Sequence, residues 1–177
     1  MTVLSLPSDG RVRREDFDRL PPAPDSWVWE LHDGRLELSY TPTSMWHDRV
    51  ISAILAWWAR QGHKTGREQR IANSGYLEGK DARNNRVADG VVFVAGHIPP
   101  DDAATHEPPE IHAVSEAVSD GSEQSDAVEK LGVYARLGIP TYWIVRCNGI
   151  ERDGDITVYE LGRQGYVQTG AMRVAEL

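Results

Sequence analysis

Cysteine is almost absent from this chain. Cys147 is the only one among 177 residues, which excludes an internal disulfide framework and any zinc site built from clustered cysteines. Long apolar runs are missing too, since no stretch approaches the roughly 18–20 residues that a membrane span needs. The opening MTVLSLPSDGRVRRED places its basic residues after a short apolar stretch, the reverse of a secretory signal. The expectation is a cytoplasmic protein in a reducing compartment, with no membrane partner. Positive charge is in deficit: 19 Lys and Arg against 27 Asp and Glu leave a formal net charge of −8. That balance argues against bulk electrostatic affinity for nucleic acid. The composition, 40% hydrophobic and 26% charged with 16 Gly and 10 Pro, also excludes collagen-like, coiled-coil and wholly disordered chains. What is left is an ordinary globular chain of one-domain length, expected as a single domain over 1–177 with a flexible tail over 1–13. Such a chain buries about 70% of its unfolded surface and needs no metal or disulfide staple.

The charge that is present is unevenly placed. Seven Lys or Arg fall between Arg60 and Arg86 against three acids, whereas Asp101 to Glu129 holds nine acids and no Lys or Arg. The basic stretch is a candidate for phosphate contact and the acidic stretch for a divalent cation, although solvated surface explains most of both. The segments WVWEL and RLELSY flank His32-Asp33-Gly34, a hairpin signal. From Ser44 to Gly62 the spacing of Trp46, Val50, Ile54 and Trp57 or Trp58 predicts a helix. Residues 63–85 are polar and Gly-containing, with room for a weak strand or two. RVADGVVFVAG (86–96) and IHAVSEAV (111–118) read as buried strands, with a loop over 97–110 between them. SDAVEKLGVYARLG (125–138) reads as a helix ended by Gly138, and TYWIVRC, ITVYEL and GYVQTG as closing strands. The order predicts a mixed sheet flanked by helices.

Two carboxylates interrupt the buried strands. Asp89 breaks the apolar run 86–95 and Glu116 breaks 111–118. A buried carboxylate is costly unless it is paired, protonated or bound to a cation. Strand alternation puts Asp89 on the face of Val87 and Val91, and Glu116 on the face of Val114 and His112. Two acids on neighbouring buried strands repel each other, and a divalent cation with a preference for hard oxygen ligands removes that repulsion. Wet strand ends, or pairing with Arg86 or Arg136, explain the same residues equally well. Asp126, Lys130 and Tyr134 share one helical face, where Asp126–Lys130 alone reads as an ordinary surface pair; a short turn before the helix would instead fold Lys130 back toward Glu116.

An Asp on one strand, a Glu on the next and a nearby Lys resemble the PD-(D/E)XK phosphodiesterase superfamily, and more closely the Uma-type restriction-endonuclease family. The resemblance spans about Arg14 to Gly170. It is carried by WELHDGRLELS, TPTSMWHDRV and RVADGVVFV, then by EAVSDGSEQSDAVEKLGVYARLGIPTYWIV, VYEL and GYVQTG. Asp89 and Glu116 match the family's metal-binding acids and Lys130 its active-site lysine. Glu30 matches the hairpin glutamate, and His47 the histidine that opens the first helix. The superfamily's usual lysine position, two residues after the glutamate, holds Val118; the family fills the role from the helix instead. The resemblance implies a restriction-endonuclease-like α/β (mixed α+β) core with an N-terminal hairpin and C-terminal antiparallel strands. It implies Mg2+-dependent hydrolysis of DNA phosphodiester bonds, with Mn2+ able to substitute, double-stranded DNA as substrate, and a homodimer as one assembly. Glu30 and His47 would extend the metal shell or shuttle a proton; a hairpin pair of Glu30 with Arg35, and a hydrogen-bonded helix N-terminal role for His47, explain the two residues equally well. A nuclease-like module that only binds nucleic acid or protein, and a hydrolase of a different phosphoester, stay open beside it.

Overall fold

The computed structural model describes residues 10–40, 44–72, 84–103, 105–118, 124–147 and 153–177, with the side chains of 40 and 124–128 outside that description. Of the expected tail over 1–13, residues 1–9 lie outside the described residues, and 10–13 lie against the hairpin. Val12 is buried and its amide donates to the Gly34 carbonyl at 2.7 Å. It packs with Phe17 of helix α1 (Arg14–Phe17) and with Leu31. Strands β1 (Trp27–His32) and β2 (Arg35–Tyr40) form the hairpin. Its turn takes positive φ at both Asp33 (47°) and Gly34 (82°), which the Asp-Gly pair accommodates.

Helix α2 (Met45–Arg60) starts at Ser44, whose hydroxyl accepts the His47 amide at 3.1 Å. That bond satisfies one of the free amides of the first turn. Val50, Ile51, Ile54 and Leu55 form its buried stripe. Strands β3 (Thr65–Ala72) and β4 (Asn85–Phe93) follow. The segment read from sequence as a plain loop contains a two-residue strand, β5 (Thr105–His106), and a 3-10 turn over Pro108–Glu110. Strand β6 (Ile111–Val118) is followed by helix α3 (Gln124–Leu137), which ends at Gly138 with φ 78°. Strands β7 (Thr141–Cys147), β8 (Gly154–Gly162) and β9 (Gly165–Arg173) complete one sheet.

Among the described residues the sheet has nine strands, with the path β2-β1-β4-β6-β7-β8-β9 and with β3 and β5 attached beside β4. It is mixed: β6 and β7 run parallel, as do β3 and β5, and the other pairs are antiparallel. The two faces separate cleanly. Val91, Val114, Tyr142 and Ile144 pack with Tyr134 of α3, whereas Val92, Ala113, Trp143 and Val145 pack with α2. Both faces being covered is why β4, β6 and β7 read as nearly continuous apolar runs.

One edge of β4 changes partner along its length. Asn85 pairs with Ala72 of β3 on one side and Leu31 of β1 on the other, while β6 pairs only from Gly90 onward. β1 and β6 therefore share that edge and diverge between Asn85 and Gly90, leaving a fork in the sheet. Beyond the fork a bulge interrupts β6: Val92 faces Ala113 but Phe93 faces Ile111, so His112 is the extra residue. This corrects the alternation read from sequence. His112 stacks on His63 (centroids 4.9 Å) and meets the Trp58 ring edge-on, on the α2 side and away from Glu116.

At Gly90, β4 lies tight against both β6 and α2. A Cβ there would collide with Ser115 Oγ and lie 3.1 Å from Leu55 Cδ2. Gly90→Ala is expected to cost about 1–3 kcal/mol in urea unfolding through overpacking. Ser115 Oγ has no hydrogen-bond partner, so adding Ser115→Ala should return most of that loss. A Gly90→Ala protein as stable as the parent would show that the strands are not this close.

Candidate active site

Asp89 and Glu116 occupy the fork. The β4–β6 ladder ends with Gly90 opposite Ser115, so the next residues on the two strands are these two acids. Backbone groups left unpaired at such a divergence need other partners. The Ala117 amide donates to Asp89 Oδ2 at 2.8 Å. On the β1 side, the Val87 amide donates to Glu30 Oε1, also at 2.8 Å.

Helix α3 closes the site from one face. Lys130 and Tyr134, one turn apart, both reach Glu116: Lys130 Nζ donates to Oε2 at 2.9 Å and the Tyr134 hydroxyl to Oε1 at 2.8 Å. Glu116 is 4% exposed and Tyr134 fully buried. Burial pushes the Glu116 carboxyl up to about 8, with the charge of Asp89 adding to the rise and with Lys130 and Tyr134 opposing it. Burial and the neighbouring Glu116 charge hold the Tyr134 phenol well above its ordinary range.

The first turn of α2 closes the other face. His47 Nε2 lies 3.0 Å from Asp89 Oδ2. The Asp89 hydrogen bond raises the His47 pKa, against a smaller opposing effect of burial. For Asp89 itself burial is the largest influence and acts upward. The His47 bond, the Lys130 and His47 charges and the Ala117 amide together outweigh it and hold the carboxyl below its ordinary value. Asp89 is thus the ionised member of the pair and Glu116 the reluctant one.

The structure brings four of the five residues singled out from sequence to this fork, and shows Glu30 in a different setting. Glu30 takes the Ser39 hydroxyl at 2.8 Å and the Val87 amide, with Arg86 Nε 3.6 Å away. Its cross-strand neighbour is Glu37, a like-charge pairing that is unfavourable unless neutralised. The neutralising charge is Arg86, 1% exposed, whose Nη1 donates to Glu37 Oε2 at 2.7 Å. Burial opposes the Arg86 charge, yet Glu30, Tyr134 and Glu37 together hold its pKa above the ordinary arginine value. Arg86 and Arg136, the sequence-level alternatives as partners of the acids, therefore serve elsewhere, with Arg136 bound to Asp33 at 3.0 Å.

Much of the basic stretch 60–86 is also spent within the fold. Arg60 donates to the Leu177 carbonyl at 2.8 Å, Arg67 to Asp48 at 2.5 Å and Arg70 to the Trp29 carbonyl at 2.9 Å. Lys80 and Arg83 lie outside the described residues, as does the Asp126 side chain. Sequence reasoning missed the Tyr134–Glu116 bond, although the four-residue spacing from Lys130 signalled it. The Ala117 amide had no signal in any side chain.

Asp89 and Glu116 fit a hard divalent cation as two carboxylates on adjoining strands with unfavourable mutual charge. Together with His47 they do not bring three ligand atoms within 4.8 Å of one another.

The raised Glu116 pKa sets a pH dependence for the cation-free protein. The unfolded chain releases this proton near the ordinary 4.5, while the native protein keeps it to about 8. The contribution to stability is whole below about 4.5 and is lost as pH rises toward 8. Glu116→Gln, which cannot ionise, should melt higher than the parent in EDTA at pH 8 and lose that advantage near pH 4.5. A difference independent of pH would contradict the assigned burial.

A family model described as "Putative restriction endonuclease" matches residues 14–175. Among solved structures the chain is similar to a "putative nuclease belonging to DUF820" from Anabaena variabilis ATCC 29413. The TM-score is 0.65 at 15% identity, over 92% of this chain and 83% of that one. At that identity the likeness is one of fold. No curated protein matches the chain. The match over nearly the whole chain places this protein in the Uma2 family, whose description is "Putative restriction endonuclease".

Proposed function

We propose that this protein is a divalent-metal-dependent endonuclease that hydrolyses DNA phosphodiester bonds at the β4–β6 fork, with double-stranded DNA as substrate, acting in the cytoplasm. The observation that carries the reading is the pairing of buried Glu116 with Lys130 Nζ at 2.9 Å, beside a second carboxylate. Family membership supports nucleic acid as the substrate class. A PD-(D/E)XK-type arrangement needs two acids and a lysine at one spot, and these are the residues around the fork.

Asp89 and Glu116 would hold Mg2+, or Mn2+ in its place. Such a cation would supply Lewis acidity toward water and toward the charge growing on the phosphoryl oxygens. The chain's own groups do the positioning. Tyr134 engages Glu116 Oε1, and the Ala117 amide fixes Asp89 Oδ2. Lys130, 12% exposed at its side chain and next to the carboxylates, would orient a phosphoryl oxygen or the attacking water. His47, with Nε2 3.0 Å from Asp89 Oδ2, would hold a proton there and pass it to the leaving oxygen. Glu30 acts one step removed, by holding the Val87 amide two residues before Asp89. A homodimer would let one molecule serve each strand.

A second reading, a module that binds nucleic acid or protein without cutting, draws on two observations. Both oxygens of Glu116 are already engaged by Lys130 and Tyr134, and Arg60, Arg67, Arg70 and Arg86 make contacts within the fold. Cleavage of plasmid DNA with Mg2+ or Mn2+, by the parent and by Asp89→Ala, Glu116→Ala and Lys130→Ala, separates the readings. The nuclease reading expects loss of about 100-fold or more in each variant. It also expects Mn2+ binding in calorimetry that disappears in Asp89→Ala. Equal cleavage by all four proteins, or none with Mn2+ heat unchanged in Asp89→Ala, overturns it.

A further inference from the structure

The hairpin meets α3 at a second group of metal-ligating side chains, separate from the fork. His32 ends β1, Glu37 lies on β2 and Glu129 lies on α3. One ligand atom from each falls within 4.8 Å of the other two. His32 Nδ1 is out of solvent and has no hydrogen-bond partner. It faces Glu129 Oε1 within ion-pair range and lies 4.0 Å from Glu37 Oε1. Its other ring nitrogen, Nε2, lies 3.5 Å from Asp33 Oδ2.

This layout has the parts of a zinc-type site: an imidazole nitrogen, two carboxylates from different elements, and an acid behind the ring to orient it. The Glu37 and Glu129 oxygens that converge beside His32 Nδ1 repel each other unless something positive lies between them. The positive group now present is Arg35, whose Nη2 is 2.5 Å from Glu37 Oε1 and 3.0 Å from Glu129 Oε1. Its side chain is 65% exposed, so it can withdraw into water at little cost. Glu37 keeps Arg86 as a partner when Arg35 leaves. A cleft of about 680 Å3, lined by His32, Asp33 and Arg35 among others, opens beside the group and offers a path from solvent.

We propose that His32, Glu37 and Glu129 form a second cation site, suited to Zn2+ or another borderline transition-metal ion, which binds by displacing Arg35. The bound ion ties the hairpin to the turn of α3 that carries Lys130, the residue next to Glu129.

Zn2+ calorimetry on the intact protein tests the proposal independently of nuclease activity. His32→Ala is expected to remove one equivalent of Zn2+ that Asp89→Ala retains. Asp33→Asn, in a turn whose φ of 47° asparagine tolerates, should weaken the same equivalent by about 10–100-fold. Arg35→Ala should tighten it, because the competing guanidinium is gone; a simple ion-pair network expects no such gain. Glu129→Gln, matched by circular dichroism to the parent, guards against a folding defect in His32→Ala. If the fork holds no metal, Asp89→Ala leaves Zn2+ stoichiometry unchanged while His32→Ala still lowers it, so the two ideas fail separately. Zn2+ heat unaltered in both His32→Ala and Glu129→Gln, or no Zn2+ binding by Asp89→Ala, overturns the second site.

Discussion

A strand that changes partner midway is the constraint on which the rest of the molecule depends. β4 pairs with β6 from Gly90 onward and touches β1 only at Asn85. Between these points its edge has no ladder, and buried backbone groups there must be satisfied from side chains. Glu30 and Asp89 do that work by accepting the Val87 and Ala117 amides. The carboxylates are therefore structural and chemical at once. They plug a gap in the sheet and in doing so put negative charge where water is scarce.

The surrounding residues follow from that charge. Two carboxylates in a low-dielectric pocket cannot both ionise freely, so they diverge: Asp89 is held down by His47 and Lys130, and Glu116 is driven up by burial. Lys130 and Tyr134 come from one face of α3, and His47 comes from the first turn of α2. Each helix thus covers one face of the sheet with its apolar stripe and the open end of the fork with a polar group. A fork of this kind is a natural place for a cation, because its charge would relieve the repulsion that the protein alone only partly balances.

The net charge of −8 says little about this site. Arg86 is buried between Glu30 and Glu37, and Arg35 and Arg136 run from the hairpin and α3 to acids on the opposite element. Positive charge that looks available in the sequence is committed to holding the hairpin, β4 and α3 in register.

The sequence by itself determined the elements. Alternating apolar residues, Asp33-Gly34, Ser44 and Gly138 act over a few residues, so the hairpin, both long helices and the buried strands were legible. Asp89 and Glu116 were legible as well, because a carboxylate inside an apolar run is costly wherever the strand is placed. The face of His112 was not, since a single bulge in β6 inverts the alternation and bulges depend on the partner strand. The setting of Glu30, the burial of Arg86 and the opening between β1 and β6 were decided only by tertiary structure. They are products of which strand lies beside which, a long-range pairing that no local pattern of residues encodes.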